Sequence, residues 1–105
     1  MVNMSNQEIF HEKLEVCMEC EESIKFDVVE LARSIYKISG LNVKNIDGVR
    51  VEFPDGWGQV WASHTHPALI LHFEAQSPKR LEEIRELVES VVRWIMGGIW
   101  KTQEN

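Results

Sequence analysis

The chain has 105 residues with 44% hydrophobic content, which is enough for one domain with a buried core and too little for two domains. Its formal net charge of -6 repels nucleic-acid phosphates and anionic lipid, so neither is an expected partner. No apolar run reaches the ~20 residues of a membrane span, and no secretory signal is evident. The chain has only two cysteines. We therefore expect a cytoplasmic protein with reduced thiols.

The first part of the chain predicts one strand and then one helix. Residues 1–12 are polar and mixed, and we assign them to a leader or linker. Apolar and polar side chains alternate from Lys13 to Cys20, which is typical of a strand. Apolar residues then recur at steps of three and four, which predicts a helix with one apolar stripe, formed by Ile24, Val28, Leu31, Ile35 and Ile38. Gly40 follows at a position where helices commonly end.

The second part predicts three strands and a second helix. The strands fall at residues 49–53, 57–63 and 69–75, with a turn at Pro54-Asp55-Gly56. Ser77-Pro78 provides a cap and first residue for the helix, Gly97-Gly98 ends it, and residues 98–105 form a tail. The order is strand, helix, three strands, helix. It predicts an α+β domain at 13–97, in which two helices cover one face of a four-stranded antiparallel sheet.

The loop between the last two strands contains the most distinctive polar residues, Ser63, His64, Thr65 and His66. Hydroxyls and exposed backbone N–H groups that converge at a turn suit a phosphate group. The alternative is a hairpin whose hydroxyls satisfy their own backbone, and the loop residues alone favour this alternative.

A longer segment around this loop carries a family resemblance. Residues 47–75 read DGVRVEFPDGWGQVWASHTHPALILHFEA. This segment resembles the C-terminal domain of the α-D-phosphohexomutases, the phosphomannomutase and phosphoglucomutase family. The likeness covers about residues 14 to 96, including Cys20, Glu21, Glu22 and Lys25 at the entry to the first helix.

The resemblance implies a function for the loop. Enzymes of this family interconvert hexose 6-phosphates and 1-phosphates, with a phosphoserine and a magnesium ion held by other domains. Their C-terminal domain grips the phosphate that is not being transferred, through a loop of the type R-x-S-x-T-E-P. By position, Ser63 and Thr65 would be phosphate donors, with His64 at the family's Asn or Gly. The motifs of the other domains do not occur here, so we expect no catalysis by this chain alone and no metal or cofactor bound to it.

Three residues depart from the family pattern. Trp61 replaces the loop arginine, His66 replaces the glutamate before Pro67, and His72 replaces a basic residue of the following strand. Arginine offers a permanent charge and a two-pronged fit to phosphate, whereas tryptophan offers neither. Histidine ordinarily titrates near pH 6.5, so a histidine can replace that charge only at lower pH. We therefore expect phosphate binding that is weak and that strengthens below about pH 6.5.

Two other groups of residues have alternative interpretations. His64 and His66, with His72 nearby, have a spacing that suits a metal, but exposed polar residues at a turn are the favoured interpretation. Cys17 and Cys20 have CxxC spacing, but they fall on a predicted strand where the two positions face opposite sides, which favours a structural role.

Trp61 is predicted to lie exposed on the sheet beside Ile70. Such an aromatic residue either marks an interaction patch or is a solitary surface residue, and the sequence favours neither.

Two functions follow. The chain is a domain of a phosphohexomutase that binds a hexose phosphate weakly beside the remaining mutase domains. Alternatively, it is an independent small protein derived from such a domain, with decayed ligand binding and self-association through the sheet face.

Overall fold

The computed structural model describes residue 10 and residues 12–100, and the side chains of 98–100 are outside the description. Most of the assigned leader and the end of the assigned tail therefore lie outside the described residues. The described part forms five strands and two α-helices, followed by a π-helical turn at Ile95–Trp100. In chain order, the elements are β1 (Glu12–Glu19), α1 (Lys25–Ile38), β2 (Asn42–Lys44), β3 (Val49–Phe53), β4 (Gly56–Ala62), β5 (Ala68–Ala75) and α2 (Pro78–Trp94).

The strands form one antiparallel sheet in the order β1-β5-β4-β3-β2. The predicted α+β class and the two helices are confirmed, but the prediction of four strands was wrong. The additional strand is β2, which has three residues and is too short to show an alternation in the sequence. It exists because it pairs with β3, where Val43 lies opposite Val51.

The inner face of the sheet, which both helices cover, carries the core. Its largest side chains are fully buried, among them Leu69, Leu71 and Phe73 of β5. Gly58 lies opposite Phe73, and a Cβ at Gly58 would stand 3.0 Å from the Phe73 ring and 3.0 Å from Val88 of α2. The missing side chain on β4 therefore makes room for the aromatic ring and the helix above it.

Helix α1 buries Val28, Val29, Ala32 and Tyr36 against the sheet. The predicted stripe is correct at Val28, while Ile38 was misplaced because it is 86% exposed in the last turn. The helix ends as predicted at Gly40, whose φ of 85° lets Leu41 N–H donate to the Tyr36 carbonyl.

Helix α2 begins where the sequence predicted. Ser77 is its N-cap and accepts a hydrogen bond from Arg80 N–H at 3.1 Å, with Pro78 in the first turn. Its predicted end was wrong, since the backbone continues past Gly97 as the π-helical turn. Gly97 does not adopt the left-handed conformation with which a glycine ends a helix. No helix in the described part of the chain is long and apolar enough to cross a membrane.

Candidate functional site

The loop at residues 63–67 is tied to the sheet on both sides. Ser63 N–H donates to the Ala68 carbonyl at 2.9 Å, and Ala68 N–H donates to the His66 carbonyl at 2.8 Å. Cys20 N–H, just before α1, donates to the Pro67 carbonyl at 2.9 Å. These bonds hold the loop between the end of the sheet and the start of α1, so its polar groups project from a fixed base.

The Ser63 hydroxyl is the centre of the loop. Its oxygen accepts hydrogen bonds from two backbone groups, Thr65 N–H at 3.2 Å and His66 N–H at 3.1 Å. The Thr65 hydroxyl lies 3.4 Å from it and 2.8 Å from His66 Nδ1. The hydroxyls therefore satisfy their own backbone here, which is the arrangement of the alternative hairpin interpretation. The same geometry brings two N–H donors and two hydroxyls to one exposed point.

Lys25 lies beneath this loop and is a residue that the sequence analysis did not assign to the site. Its side chain is 1% exposed, and its Nζ donates to the His66 carbonyl at 3.0 Å and pairs with Glu22 at 2.9 Å. A signal was present, because Lys25 falls on the helical face that Val28, Val29 and Ala32 bury. Because its charge is balanced by Glu22, the contribution of Lys25 to the loop is its hydrogen bond to the His66 carbonyl.

The three histidines do not share one place. His64 and His66 are exposed in the loop, and the His64 ring lies 5.9 Å from the Phe26 ring. His72 lies inside β5, opposite Gln59 on β4, with its ring 5.1 Å from Trp57 and its Nε2 3.4 Å from Glu74. The structure therefore brings Ser63, His64, Thr65 and His66 together, and it places His72 on the outer face of the sheet, away from the loop.

Trp61 borders a cleft of about 560 Å³ beside the loop. The prediction of an exposed tryptophan was wrong, because Trp61 is half-buried. It pairs with Ile70, as the register requires, and packs against the turn at Asp47-Gly48. A Cβ at Gly48 would stand 2.2 Å from the Val60 carbonyl and 2.8 Å from Trp61 Cβ, so only glycine fits this contact.

The turn at residues 46–48 is held from two sides. Gln59 is buried, and its side-chain amide donates to the Ile46 carbonyl at 2.8 Å. Arg33 of α1 donates to the Gly48 carbonyl and pairs with Glu30. These bonds join the turn to both β4 and α1, so the wall of the cleft is fixed before any ligand arrives.

The cysteines do not form a reactive pair. Cys17 is exposed and Cys20 is buried, and both are free. Burial, and to a lesser degree the charge of Glu21, raises the pKa of the Cys20 thiol, while Lys25 lowers it less. A raised pKa keeps the thiol protonated and unreactive. Among the described residues, no group of three or more His, Cys, Asp or Glu side chains is placed to hold a metal ion.

Comparisons with a family model and with individual proteins all match the same family. Residues 18–91 match the family described as the phosphoglucomutase/phosphomannomutase C-terminal domain. A phosphomannomutase/phosphoglucomutase of Pseudomonas aeruginosa is 35% identical over 79 residues, which is 75% of this chain and 17% of that protein. A phosphoglucomutase of Neisseria meningitidis serogroup B is 39% identical over 71 residues, which is 68% of this chain and 15% of that protein.

The fold is similar to that of a solved structure as well. A phosphoglucomutase/phosphomannomutase family protein from Burkholderia thailandensis superposes with a TM-score of 0.62 and 28% identity, covering 79% of this chain and 18% of that one. The chain thus spans less than a fifth of the length of these relatives.

Proposed function

Since the chain belongs to the family of phosphoglucomutase/phosphomannomutase C-terminal domains, we propose that it binds the phosphate group of a hexose phosphate weakly, through Ser63, His64 and Thr65. We further propose that it catalyses nothing alone and holds no metal, because catalysis in such mutases would require the remaining domains. In the cell, this binding would take place in the cytoplasm.

The convergence of donors on the Ser63 oxygen carries this proposal. Two backbone N–H groups already point at a single oxygen atom, and the two hydroxyls lie beside it. A phosphate oxygen can take the place of the serine oxygen at those N–H groups, since both are hydrogen-bond acceptors. Lys25, which is paired with Glu22 and donates to the His66 carbonyl, holds the loop in the form that brings these N–H groups together.

The internal bonds of the loop also explain why binding would be weak. A phosphate must displace the Ser63 oxygen from Thr65 N–H and His66 N–H, so only the difference between the two sets of bonds contributes to affinity. This difference grows when His64 or His66 is protonated, because each then adds a positive charge at the loop.

An NMR titration with inorganic phosphate and with a hexose phosphate, at pH 6 and pH 7.5, tests the proposal. We expect the amide signals of Thr65 and His66 to shift, with half-saturation at a lower concentration at pH 6. Thr65→Val removes a hydroxyl donor and leaves the Ser63 oxygen in place, so it should weaken binding and reduce the shifts. Ser39→Ala is the matched control, because Ser39 is exposed at the other end of α1, about 20 Å away by the rise of a helix, and should leave binding unchanged.

Two results would contradict this account. An absence of loop shifts at both pH values would remove phosphate binding, and it would favour the alternative of an independent association protein. Mutase turnover by the isolated chain would contradict the proposal that it is not catalytic alone.

A further inference from the structure

We propose that the outer face of the sheet binds the outer face of a second copy of this chain, forming a weak two-fold dimer. The outer face is the side opposite the helices, and it is formed by every second residue of the five strands. The inference does not depend on whether the loop at residues 63–67 binds phosphate, because the hydroxyls and backbone N–H groups of the loop take no part in it.

An apolar row crosses this face. Cys17 of β1 lies directly opposite Ile70 of β5, and Ile70 lies directly opposite Trp61 of β4. Cys17 is exposed, while Ile70 and Trp61 are half-buried. At the border of the face, Ile46 belongs to the turn that Gln59 holds, and it is 43% exposed. Tryptophan is enriched among the residues that contribute most to binding between proteins, so the row suits a protein partner.

The charges of this face favour a second copy of the same chain as that partner. The outward positions of the strands carry three cations and four carboxylates, which are Lys13, Lys44, Arg50, Glu15, Glu19, Glu52 and Glu74. With His72 neutral, their net charge is -1, although the whole chain carries -6. The repulsion between two acidic chains is therefore small at this face.

The two edges of the face carry opposite charges. On β1, Glu15 and Glu19 stand against Lys13, so the carboxylates are in excess. On β2, the outward residues are Asn42 and Lys44, so the charge is positive. A surface with one acidic edge and one basic edge can complement a reversed copy of itself.

A two-fold axis parallel to the strands and above β4 gives this complementarity. Among the described strands β4 is the central one, so the axis places β1 of each copy over β2 of the other. One cross-strand row runs through successive partners, which are Glu15, His72, Gln59, Arg50 and Lys44. The axis therefore sets Glu15 of each copy opposite Lys44 of the other. The long lysine side chain spans the offset between aligned sheets, which pack at about 30°.

Two features limit the affinity. The same axis sets Glu52 of one copy opposite Glu74 of the other, and Arg50, whose Nε lies 3.3 Å from Glu52, offsets this repulsion in part. Five strands about 4.8 Å apart, with seven residues in β4, give a face of about 24 Å by 24 Å, so the dimer buries on the order of 1,000 Å² in total. This area is at the lower limit of specific interfaces, and we expect a dissociation constant of roughly 100 μM.

Sedimentation equilibrium of the whole chain, from about 10 μM to about 1 mM at pH 7.5, tests the dimer. A reducing agent prevents disulfides between the exposed Cys17 thiols. We expect the average mass to rise from 12.2 kDa toward twice that value. Ile70→Glu places a charge in the apolar row and should raise the dissociation constant at least roughly tenfold. Leu87→Glu is the matched control, because Leu87 is 38% exposed on α2 in the helical layer, and it should associate like the parent chain.

Two charge variants test the symmetry without altering the apolar row. Glu15→Lys gives like charges at positions 15 and 44, and so does Lys44→Glu, so each variant should associate at least severalfold more weakly than the parent chain. A mixture of the two variants restores opposite charges at both contacts and should dimerise more tightly than either variant alone. Both residues are exposed on edge strands, so this test remains available if Ile70→Glu does not fold.

Four results would overturn the inference. A mass of 12.2 kDa at every concentration would leave the face to another partner, such as the remaining mutase domains. A mass that rises beyond twice the chain mass would exclude a closed two-fold pair. Weaker association of Leu87→Glu, with unchanged association of a folded Ile70→Glu chain, would place the contact in the helical layer. Equal association of the mixture and of the separate charge variants would contradict the two-fold arrangement.

Discussion

The two faces of the sheet are formed by the same five strands, but their side chains differ in burial. On the inner face, Leu71 and Phe73 of β5 are fully buried beneath the helices. On the outer face, the neighbouring His72 is half-buried, its ring lies against Trp57, and Arg50 lies 4.0 Å above the Trp57 ring. The outer side chains contact one another without entering the core, so they can change without loss of the fold. The departures from the family pattern at Trp61 and His72 both lie on this face.

The largest expected difference between the faces is in stability. Phe73→Ala on the inner face should lower the free energy of unfolding by about 3–5 kcal/mol, because it opens a cavity against Gly58 and Val88. Ile70→Ala on the outer face of the same strand is the matched change, and it should cost less than about 2 kcal/mol because Ile70 is only half-buried. Urea unfolding of both variants gives the comparison. Equal losses in the free energy of unfolding would mean that side chains on the two faces contribute equally to stability.

The next effect concerns phosphate affinity at the loop that follows β4. Trp61→Arg restores the residue that the family resemblance places before the loop. We expect phosphate to bind at least roughly tenfold more tightly, since a charged hydrogen bond contributes about 1.5–3 kcal/mol. Trp61→Gln is polar but uncharged and should give no such gain. The measurement is the NMR titration with inorganic phosphate at pH 7.5. An unchanged affinity of a folded Trp61→Arg chain would show that this position does not govern the loop.

The smallest expected effect concerns the contact between α1 and α2, which cover the inner face of the sheet. The Tyr36 hydroxyl is buried and donates to the Val88 carbonyl of α2 at 2.8 Å, and burial raises the pKa of this phenol. Its folded pKa therefore lies above the value of about 10 in the unfolded chain. The neutral phenol stabilises the fold fully below about pH 10, and this contribution is lost as the pH rises further, because ionisation then favours the unfolded chain.

Tyr36→Phe isolates that contribution. The variant should lose about 1 kcal/mol at pH 7 through the missing hydrogen bond. It should also lose less stability than the parent chain between pH 9 and about pH 11, so the gap between the two narrows. Urea unfolding at a series of pH values measures both effects. Since Cys20 titrates in both chains, its contribution cancels in the comparison. A gap that stays constant with pH would contradict the role of the phenol.

The difference in burial between the two faces explains which strands could be predicted from the sequence. Alternation at Val49–Phe53 and at Ala68–Ala75 identifies the inner face, because burial on one side of a strand imposes a period of two. It does not identify β2, whose three residues form a strand only through pairing with β3. Ile38 fits the helical stripe but lies past the last contact of α1 with the core, so periodicity alone misplaces it.

The candidate site is less predictable than the fold. Ser63, His64 and Thr65 are adjacent in sequence, so one loop contains them whatever the fold. The burial of Lys25 depends on how α1 packs against that loop, and the cleft at Trp61 depends on the turn at Gly48, thirteen residues earlier in the chain, and on its bond to Arg33. The spacing of residues in the sequence does not predict such contacts between different elements.

The two edges of the sheet bear on aggregation. Among the described residues, β1 and β2 lie at the two edges of the sheet, and an unpaired edge can recruit a strand from another molecule. On β1, the exposed positions are Lys13, Glu15, Cys17 and Glu19, so three of the four carry a charge. β2 offers only three residues, two of them exposed, and ends at Lys44. Charge at one edge and shortness at the other oppose strand addition, so the sheet is protected against edge-to-edge aggregation.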